Sequence, residues 1–362
     1  MKNICILVGA RPNFIKVAPL IRAIQNSGAA TYRLLYAGKE TDATLEDTLF
    51  SDLRMPPPDT FLGVDSSSLN EITSLVMARF DHYLDHQPAD IVIVVDDLAS
   101  TMAAAIVAKK RGLTLAHLVA GTRSFDMKMP KEVNRLVIDA LSDILFTAGI
   151  KSSSVATREQ AEGSNTYMVG NILMDTLRFC QPYLRKPQIQ LLDATPLPKY
   201  IVLTINRRAL LADPEKLRQL IQAITQAVPN IPIIAPLRPE AATIVESLAS
   251  HLSPLTSHLS PLQPLPYLEF AWLTAHATGI ITDSGNVAEE ATFNGVPCIT
   301  LNSYTEHQET VTVGTNVLVG EDPQRLAEET GRMVSGQWKQ SALPQRWDGR
   351  TAERIVKILL EK

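Results

Sequence analysis

The chain has 362 residues, of which 45% are hydrophobic and 20% charged, with a formal net charge of −4. Its length exceeds one ordinary compact core and suits two domains of about 150–200 residues each, with the composition of a soluble globular protein. The mild acidity argues against nucleic acid or an anionic membrane as the main partner, while leaving room for a local basic pocket that takes one phosphorylated small molecule.

The opening "MKNICILVGARPNF" has too short an apolar run for a signal peptide and reads as a first strand. No uninterrupted apolar run approaches the roughly 18 residues of a membrane span, so the expected compartment is the cytoplasm. Cys5, Cys180 and Cys298 lie far apart in apolar contexts without CxxC spacing. Buried free thiols are expected there, not a metal centre or a disulfide.

Short β-branched runs then alternate with helical patterns. The runs are ICILVG (4–9), YRLLYAG (32–38), DIVIVV (90–95), TLAHLVA (114–120) and ILFTAG (144–149), with amphipathic stretches at 15–26, 70–84 and 99–110. Continuous apolar strands separated by helices indicate a parallel sheet covered on both faces. The pattern pauses at 183–200, a proline-bearing stretch that reads as a linker, and restarts with YIVLTI (200–205), IPIIAPL (231–237), GIITD (279–283) and PCITLN (297–302). The fold class is therefore α/β, with two doubly wound domains. The near-repeat HLSPL at 251–255 and 258–262 reads as a surface loop or short edge segment with solvated histidines. His82 and His86, four residues apart, read as an exposed helix face.

Three segments carry candidate chemistry. VGARPNFIKVAP (8–19) is a strand, a glycine turn and a helix start, where turn amides, a helix N-terminus and Arg11 suit a phosphate. It is not GxGxxG, which disfavours a nicotinamide cofactor. ITDSGNVAEEATFNGVPCITL (281–301) repeats that geometry: Ser284, Gly285 and Asn286 offer donors for a diphosphate, and Glu290 a carboxylate for a ribose. An ordinary capped helix with Glu289 and Glu290 on a solvated face is the competing reading. In VVDDLAS (94–100), Asp96 and Asp97 fall just past a buried strand, as helix caps or as site residues.

Taken in order, GxRPxxxKxxP (9–19), PxExNR (130–135), GN (170–171), DSGxxxEE (283–290), GxP (295–297), TExxE (305–309) and GT…VG (314–320) form a spaced set. With that set the chain resembles the UDP-N-acetylglucosamine 2-epimerases from about residue 3 to 360. The resemblance implies a glycosyltransferase-B-like pair of Rossmann-like domains, 1–180 and 200–345, with 181–199 as linker and a final helix (346–362) returning to the first domain. It implies a UDP-sugar in an inter-domain cleft, no metal or redox cofactor, no nucleic-acid or membrane partner, a homodimer, and a place in cell-surface polysaccharide biosynthesis. Members of the family remove the proton at C2 of the sugar, expel UDP and reprotonate the resulting glycal on its other face.

Carried onto this sequence, Arg11, Lys16, Arg123, Asn206, Arg207 and Arg238 would contact the substrate, with Arg11 on phosphate. Ser284, Gly285 and Asn286 would cradle the diphosphate, Glu290 would hold the ribose, and Phe270 would line the uracil pocket. The chemical half departs from the family. Asp97 is retained, but the family's VEAG glutamate is Val119, the first glutamate of its PEE is Lys131 beside Glu132, and the histidine of its GHRR is Asn206. Its QHxD is KETD (39–42), and the arginine of its RDTTERPE is Asn302. Asp97, Glu132 and Lys131 are the catalytic candidates that remain. Loss of one acid or base typically removes about 10²–10⁴-fold in rate. Four readings follow: a working 2-epimerase using Asp97, Glu132 and Asp126; an enzyme for another sugar nucleotide, with Lys131 suiting a carboxylate; a catalytically silent UDP-sugar-binding protein; and a glycosyltransferase. The missing acids and bases favour the second and third.

Overall fold

The structure, a computed structural model, describes residues 1–45, 48–194, 196–253 and 255–361. Thr195 in the 181–199 stretch, Pro254 in the first HLSPL and Lys362 at the chain's end lie outside the described residues. The chain divides into two compact units, Met1–Gln181 with Gln345–Lys362, and Pro182–Pro344.

The first unit is built on seven parallel strands: β1 (Lys2–Val8), β2 (Ala30–Tyr36), β3 (Thr60–Phe61), β4 (Ile91–Val95), β5 (Thr114–Leu118), β6 (Ile144–Thr147) and β7 (Asn165–Met168). Their order is β3-β2-β1-β4-β5-β6-β7. All five residues of β4, IVIVV, are buried, as a strand covered on both faces requires. Each such aliphatic side chain contributes about 1.5–3 kcal/mol by leaving water. Helices Arg11–Ser27, Ile172–Cys180 and Thr351–Glu361 pack together, and helices Leu69–His86, Ala99–Lys110 and Pro130–Leu141 form a second group. In Ala99–Lys110 the small residues Ala103, Ala104, Ala105 and Ala108 are fully buried, which brings that helix close to its neighbours.

The end of the chain is fastened to this unit at three points. The Trp347 indole, 1% exposed, donates to the Ala148 carbonyl at 3.0 Å. Gly170 of the GN pair has φ +104, and a Cβ there would stand 2.1 Å from the Arg346 carbonyl oxygen, so only glycine fits. Asn171 caps helix Ile172–Cys180 through the Leu173 amide at 3.0 Å. Asp175 in turn receives the amides of Thr351 at 3.0 Å and Ala352 at 2.7 Å, at the start of the last helix.

The second unit has six parallel strands: β8 (Ile201–Thr204), β9 (Ile233–Pro236), β10 (Leu259–Leu262), β11 (Gly279–Thr282), β12 (Cys298–Thr300) and β13 (Asn316–Leu318). Their order is β10-β9-β8-β11-β12-β13. In the stretch 183–200, Leu192 and Tyr200 are buried in the core formed with Val202, Ile280 and Ala291. The second HLSPL supplies β10, an edge strand, where Pro261 removes one amide without breaking an inner ladder. His251 is exposed, whereas His258 is half-buried, and burial lowers its pKa; solvation of both was expected. His82 and His86 are exposed, and the three cysteines are buried and free. Among the described residues no helix is long and apolar enough to cross a membrane.

Burial pushes the Asp175 carboxyl up to about 6, against the pull of the two amides it receives. A carboxyl whose folded value lies above its ordinary 3.8 binds its proton more tightly folded than unfolded, so its contribution to stability falls as pH rises from about 4 to about 6. Asp175→Asn, which still offers the helix start an acceptor, is expected to flatten stability across that window in urea melts. An unchanged pH dependence would contradict it.

Candidate active site

In each unit the strand order reverses beside a helix start. In the first, β1 lies between β2 and β4; in the second, β8 and β11 are neighbours with earlier strands on one side and later strands on the other. Crevices at the carboxyl ends of strands at such points are where open α/β sheets bind ligands.

In the first unit, Arg11 is the first residue of its helix and half-buried. The turn before it is less open to an anion than its sequence suggests. The Asn13 side-chain oxygen already accepts the amides of Gly9 (2.9 Å) and Ala10 (3.1 Å), and its Nδ2 donates to Asp96 at 2.7 Å. Lys16, expected on substrate, is 5% exposed and pairs with Asp96 at 2.7 Å. Arg123 is likewise buried, holding Asp139 at 2.7 Å and Glu159 at 3.0 Å.

The catalytic candidates form one charge cluster past β4. Asp97 meets Arg135 at 2.7 Å and Lys131 at 3.3 Å. Burial alone would raise the Asp97 pKa, but Lys131 and Arg135 outweigh it and hold the carboxyl below its ordinary value. Glu132, 1% exposed, accepts from the Ser124 amide (2.8 Å), the Ser124 hydroxyl (2.9 Å), the Phe125 amide (3.1 Å) and Arg135 (3.0 Å). Its pKa is lowered too, since those donors outweigh burial. The Lys131 side chain remains 57% exposed. Asp126 is exposed on the loop that Glu132 anchors, and its Oδ1 accepts the Lys128 amide at 2.9 Å.

Val119 follows β5 with φ +75, a left-handed conformation that a β-branched side chain rarely adopts. Around it the backbone is over-determined. Asp139 receives the Gly121 amide at 3.0 Å, and its other oxygen lies 2.6 Å from Nδ1 of buried His117. His117 Nε2 faces the Asp96 carbonyl at 3.0 Å, so both ring nitrogens are placed to donate. Burial would raise the Asp139 pKa, but His117 and Arg123 hold it down. A Cβ at Gly121 would stand 2.1 Å from the Ser152 carbonyl oxygen.

In the second unit, Asp283 follows β11 and receives the successive amides of Asn206 and Arg207, both at 2.7 Å. That carboxylate fastens the loop after β8 to the end of its neighbour. Burial raises the Asp283 pKa despite the amides, and its Oδ1 is buried with no hydrogen-bond partner. Arg207 is bonded to Glu321 and to the Leu301 carbonyl. Ser284 precedes helix Gly285–Asn294, yet its side chain makes no capping bond; its amide donates to the Thr282 hydroxyl at 3.0 Å. Glu289 and Glu290 are 3% and 5% exposed. An ordinary capped helix with a solvated acidic face is therefore excluded.

Phe270 packs against the core cluster that includes Val287, Ala288 and Ala291 of helix Gly285–Asn294. Arg238 is exposed at the end of β9, where it precedes helix Pro239–His251. Sequence reasoning missed Arg135, Asp139 and Asp283. The first and third lay inside quoted motifs, but Asp97, which Arg135 meets, and the Asn206 and Arg207 amides, which Asp283 receives, are distant in the chain. Among the described residues no group of three or more His, Cys, Asp or Glu side chains is arranged to hold a metal ion.

Two parallel sheets, each with a helix opening at its switch point, define a two-unit α/β protein of the glycosyltransferase-B-like type. A lipopolysaccharide outer core galactosyltransferase shares that fold alone, with a TM-score of 0.56 at 12% identity. The family model described as UDP-N-acetylglucosamine 2-epimerase matches residues 22–360, and the chain belongs to that family. It is 30% identical over 365 residues to a UDP-N-acetylglucosamine 2-epimerase of Methanocaldococcus jannaschii, covering 99% of this chain and 98% of that one. A crystal structure from that organism, in complex with UDP-GlcNAc and UDP, matches with a TM-score of 0.86 at 29% identity, over 99% of this chain and all of that one. Similarity is equally extended to a UDP-2,3-diacetamido-2,3-dideoxy-D-glucuronate 2-epimerase of Pseudomonas aeruginosa, 30% identical over 99% of both chains.

The Val119 conformation gives a test of the loop. At left-handed φ a Cβ costs about 1–2 kcal/mol, so Val119→Gly is expected to be more stable than Val119→Ala by about that amount. The order at an ordinary position is the reverse. Chemical denaturation of both variants measures the difference, and a more stable alanine variant would contradict the assigned backbone.

Proposed function

We propose that the protein binds a UDP-N-acetylhexosamine and retains the family's grip on the nucleotide with little of its proton transfer at C2. In this reading Ser284, Gly285 and Asn286 face the diphosphate, Glu290 the ribose and Phe270 the uracil, with Arg11 as a phosphate ligand. The kinship with enzymes crystallised on UDP-GlcNAc supports the nucleotide.

The observation that carries the second half is Asp97 bracketed by Lys131 and Arg135. A base must take a proton from a poorly acidic carbon, and a carboxylate stabilised by two cations is weaker for that task. Glu132 has its oxygens occupied by two amides, a hydroxyl and a guanidinium, and Val119 has no proton to move. A second reading is favoured by the exposure of the Lys131 ammonium: a sugar nucleotide bearing a carboxylate, which that ammonium would meet.

Saturating UDP is expected to stabilise the protein by about 2.7 kcal/mol at a hundredfold excess over Kd, and Arg11→Ala to remove most of that gain. In D₂O, UDP-N-acetylglucosamine is expected to gain no deuterium at C2 at an ordinary enzyme's rate, the shortfall being at least about 10²–10⁴-fold. Unchanged melting with excess UDP would overturn the binding half, and rapid exchange or UDP-N-acetylmannosamine formation the other half. Exchange confined to a uronic-acid analogue would favour the second reading.

A further inference from the structure

We propose that Phe125 is a specificity-determining residue, whose ring takes the methyl of an acetamido group on C2 of the sugar. The inference rests on the reading of the ligand as a UDP-N-acetylhexosamine whose C2 meets the Asp97 cluster.

Phe125 lies on the loop between β5 and helix Pro130–Leu141. It is 65% exposed, while every other phenylalanine of the chain is buried or half-buried. Its φ is +59, a left-handed conformation that is unfavourable for any residue with a Cβ. Neither an exposed ring nor a left-handed backbone helps the chain to fold. Among the described residues no other large exposed apolar side chain sits on such a backbone.

The conformation is nonetheless fixed. The Phe125 amide donates to Oε1 of Glu132 at 3.1 Å, and the Ser124 amide to Oε2 at 2.8 Å. Beyond it the Asp126 amide donates to the Ser124 hydroxyl at 3.3 Å, the Lys128 amide to Asp126 Oδ1 at 2.9 Å and the Met129 amide to the Asp126 carbonyl at 3.0 Å. A ring carried on a loop so bonded loses little freedom when a ligand covers it. Strain that persists because the surroundings over-determine it clusters at ligand clamps and active sites.

The same carboxylate links Phe125 to the charge cluster. Oε2 of Glu132 accepts from Arg135 at 3.0 Å, and Arg135 meets Asp97 at 2.7 Å. One carboxylate and one guanidinium therefore separate the Phe125 backbone from Asp97. In a UDP-N-acetylhexosamine, C2 is both the carbon that would face Asp97 and the carbon that bears the acetamido nitrogen. A trans amide sets the acetamido methyl about 3.8 Å from C2, the span between successive Cα atoms. Lys131, Glu132 and Arg135 are charged and give that methyl no favourable apolar contact, whereas burial against the Phe125 ring removes both apolar surfaces from water.

Affinities for UDP, UDP-glucose and UDP-N-acetylglucosamine are measured calorimetrically; the two sugars differ only at C2, by a hydroxyl in place of the acetamido group. Wild-type protein is expected to prefer UDP-N-acetylglucosamine over UDP-glucose by about tenfold, the lower end of what one added methyl-sized group contributes in an apolar site. Phe125→Ala and Phe125→Gly should bind UDP as the wild type does and lose the preference, and Phe125→Tyr, which keeps the ring, should retain it. The glycine variant should also unfold at a higher urea concentration than the alanine variant, since it has no Cβ at a left-handed position; its loss of selectivity then cannot come from a weakened fold. Alanine and glycine variants that keep the wild-type preference would overturn the role of Phe125 and leave the nucleotide reading intact. Variants that lose affinity for UDP in the same proportion would reduce Phe125 to a general structural part and overturn the proposal. Wild-type protein that binds no UDP would overturn the nucleotide reading and the proposal together.

Discussion

Glu132 receives the amides of Ser124 and Phe125, Asp175 those of Thr351 and Ala352, and Asp283 those of Asn206 and Arg207. A carboxylate that takes two successive backbone amides is the device on which the rest of the structure depends. Loop amides withdrawn from water need acceptors, and an ionised acceptor makes the stronger bond. The first pair ties the loop after β5 to the helix that follows it, Pro130–Leu141, and the other two tie elements distant in sequence: the final helix to Ile172–Cys180, and the loop after β8 to the end of β11. The acids that might have served chemistry are in this way committed to architecture.

Arg135 extends the same logic to the charge cluster. It touches Asp97 on one side and Glu132 on the other, and Lys131 adds a second cation to Asp97, so two cations balance two carboxylates. Breaking such a buried pair by removing one partner typically costs about 3–5 kcal/mol, because the other charge is left uncompensated. The arrangement therefore favours permanent ionisation over proton exchange. The second unit differs, with a serine that does not cap its own helix and two buried glutamates. In the proposed reading these groups, in and beside helix Gly285–Asn294, hold the nucleotide.

Much of the fold was legible in the chain. Runs such as DIVIVV and GIITD coincide with β4 and β11 to within a residue at either end, because buried parallel strands announce themselves as unbroken apolar stretches. The strands β3, β7 and β13 carry no strand signal in the sequence, and the β10 segment reads there as a surface loop or short edge segment. They are short or carry polar and proline residues (Thr60, Asn165, Pro261, Asn316), and all four lie at sheet edges. In the site, residue types were readable but not their partners. That Lys16 and Arg123 bind Asp96 and Asp139 depends on contacts between segments far apart in the chain, and that Glu132 saturates the preceding loop depends on the path of that loop, neither of which a local pattern encodes. The left-handed backbone at Val119 was equally hidden, since valine gives no sign of it.

The central claim is that Asp97 is held as an anion by the two cations beside it. A carbon-13 NMR titration of its carboxyl group tests this directly in the intact protein. The account predicts a midpoint below the ordinary aspartate value of about 3.9, rising when Lys131 is replaced by alanine. A wild-type midpoint near neutrality, insensitive to that replacement, would contradict it and leave Asp97 available as a general base.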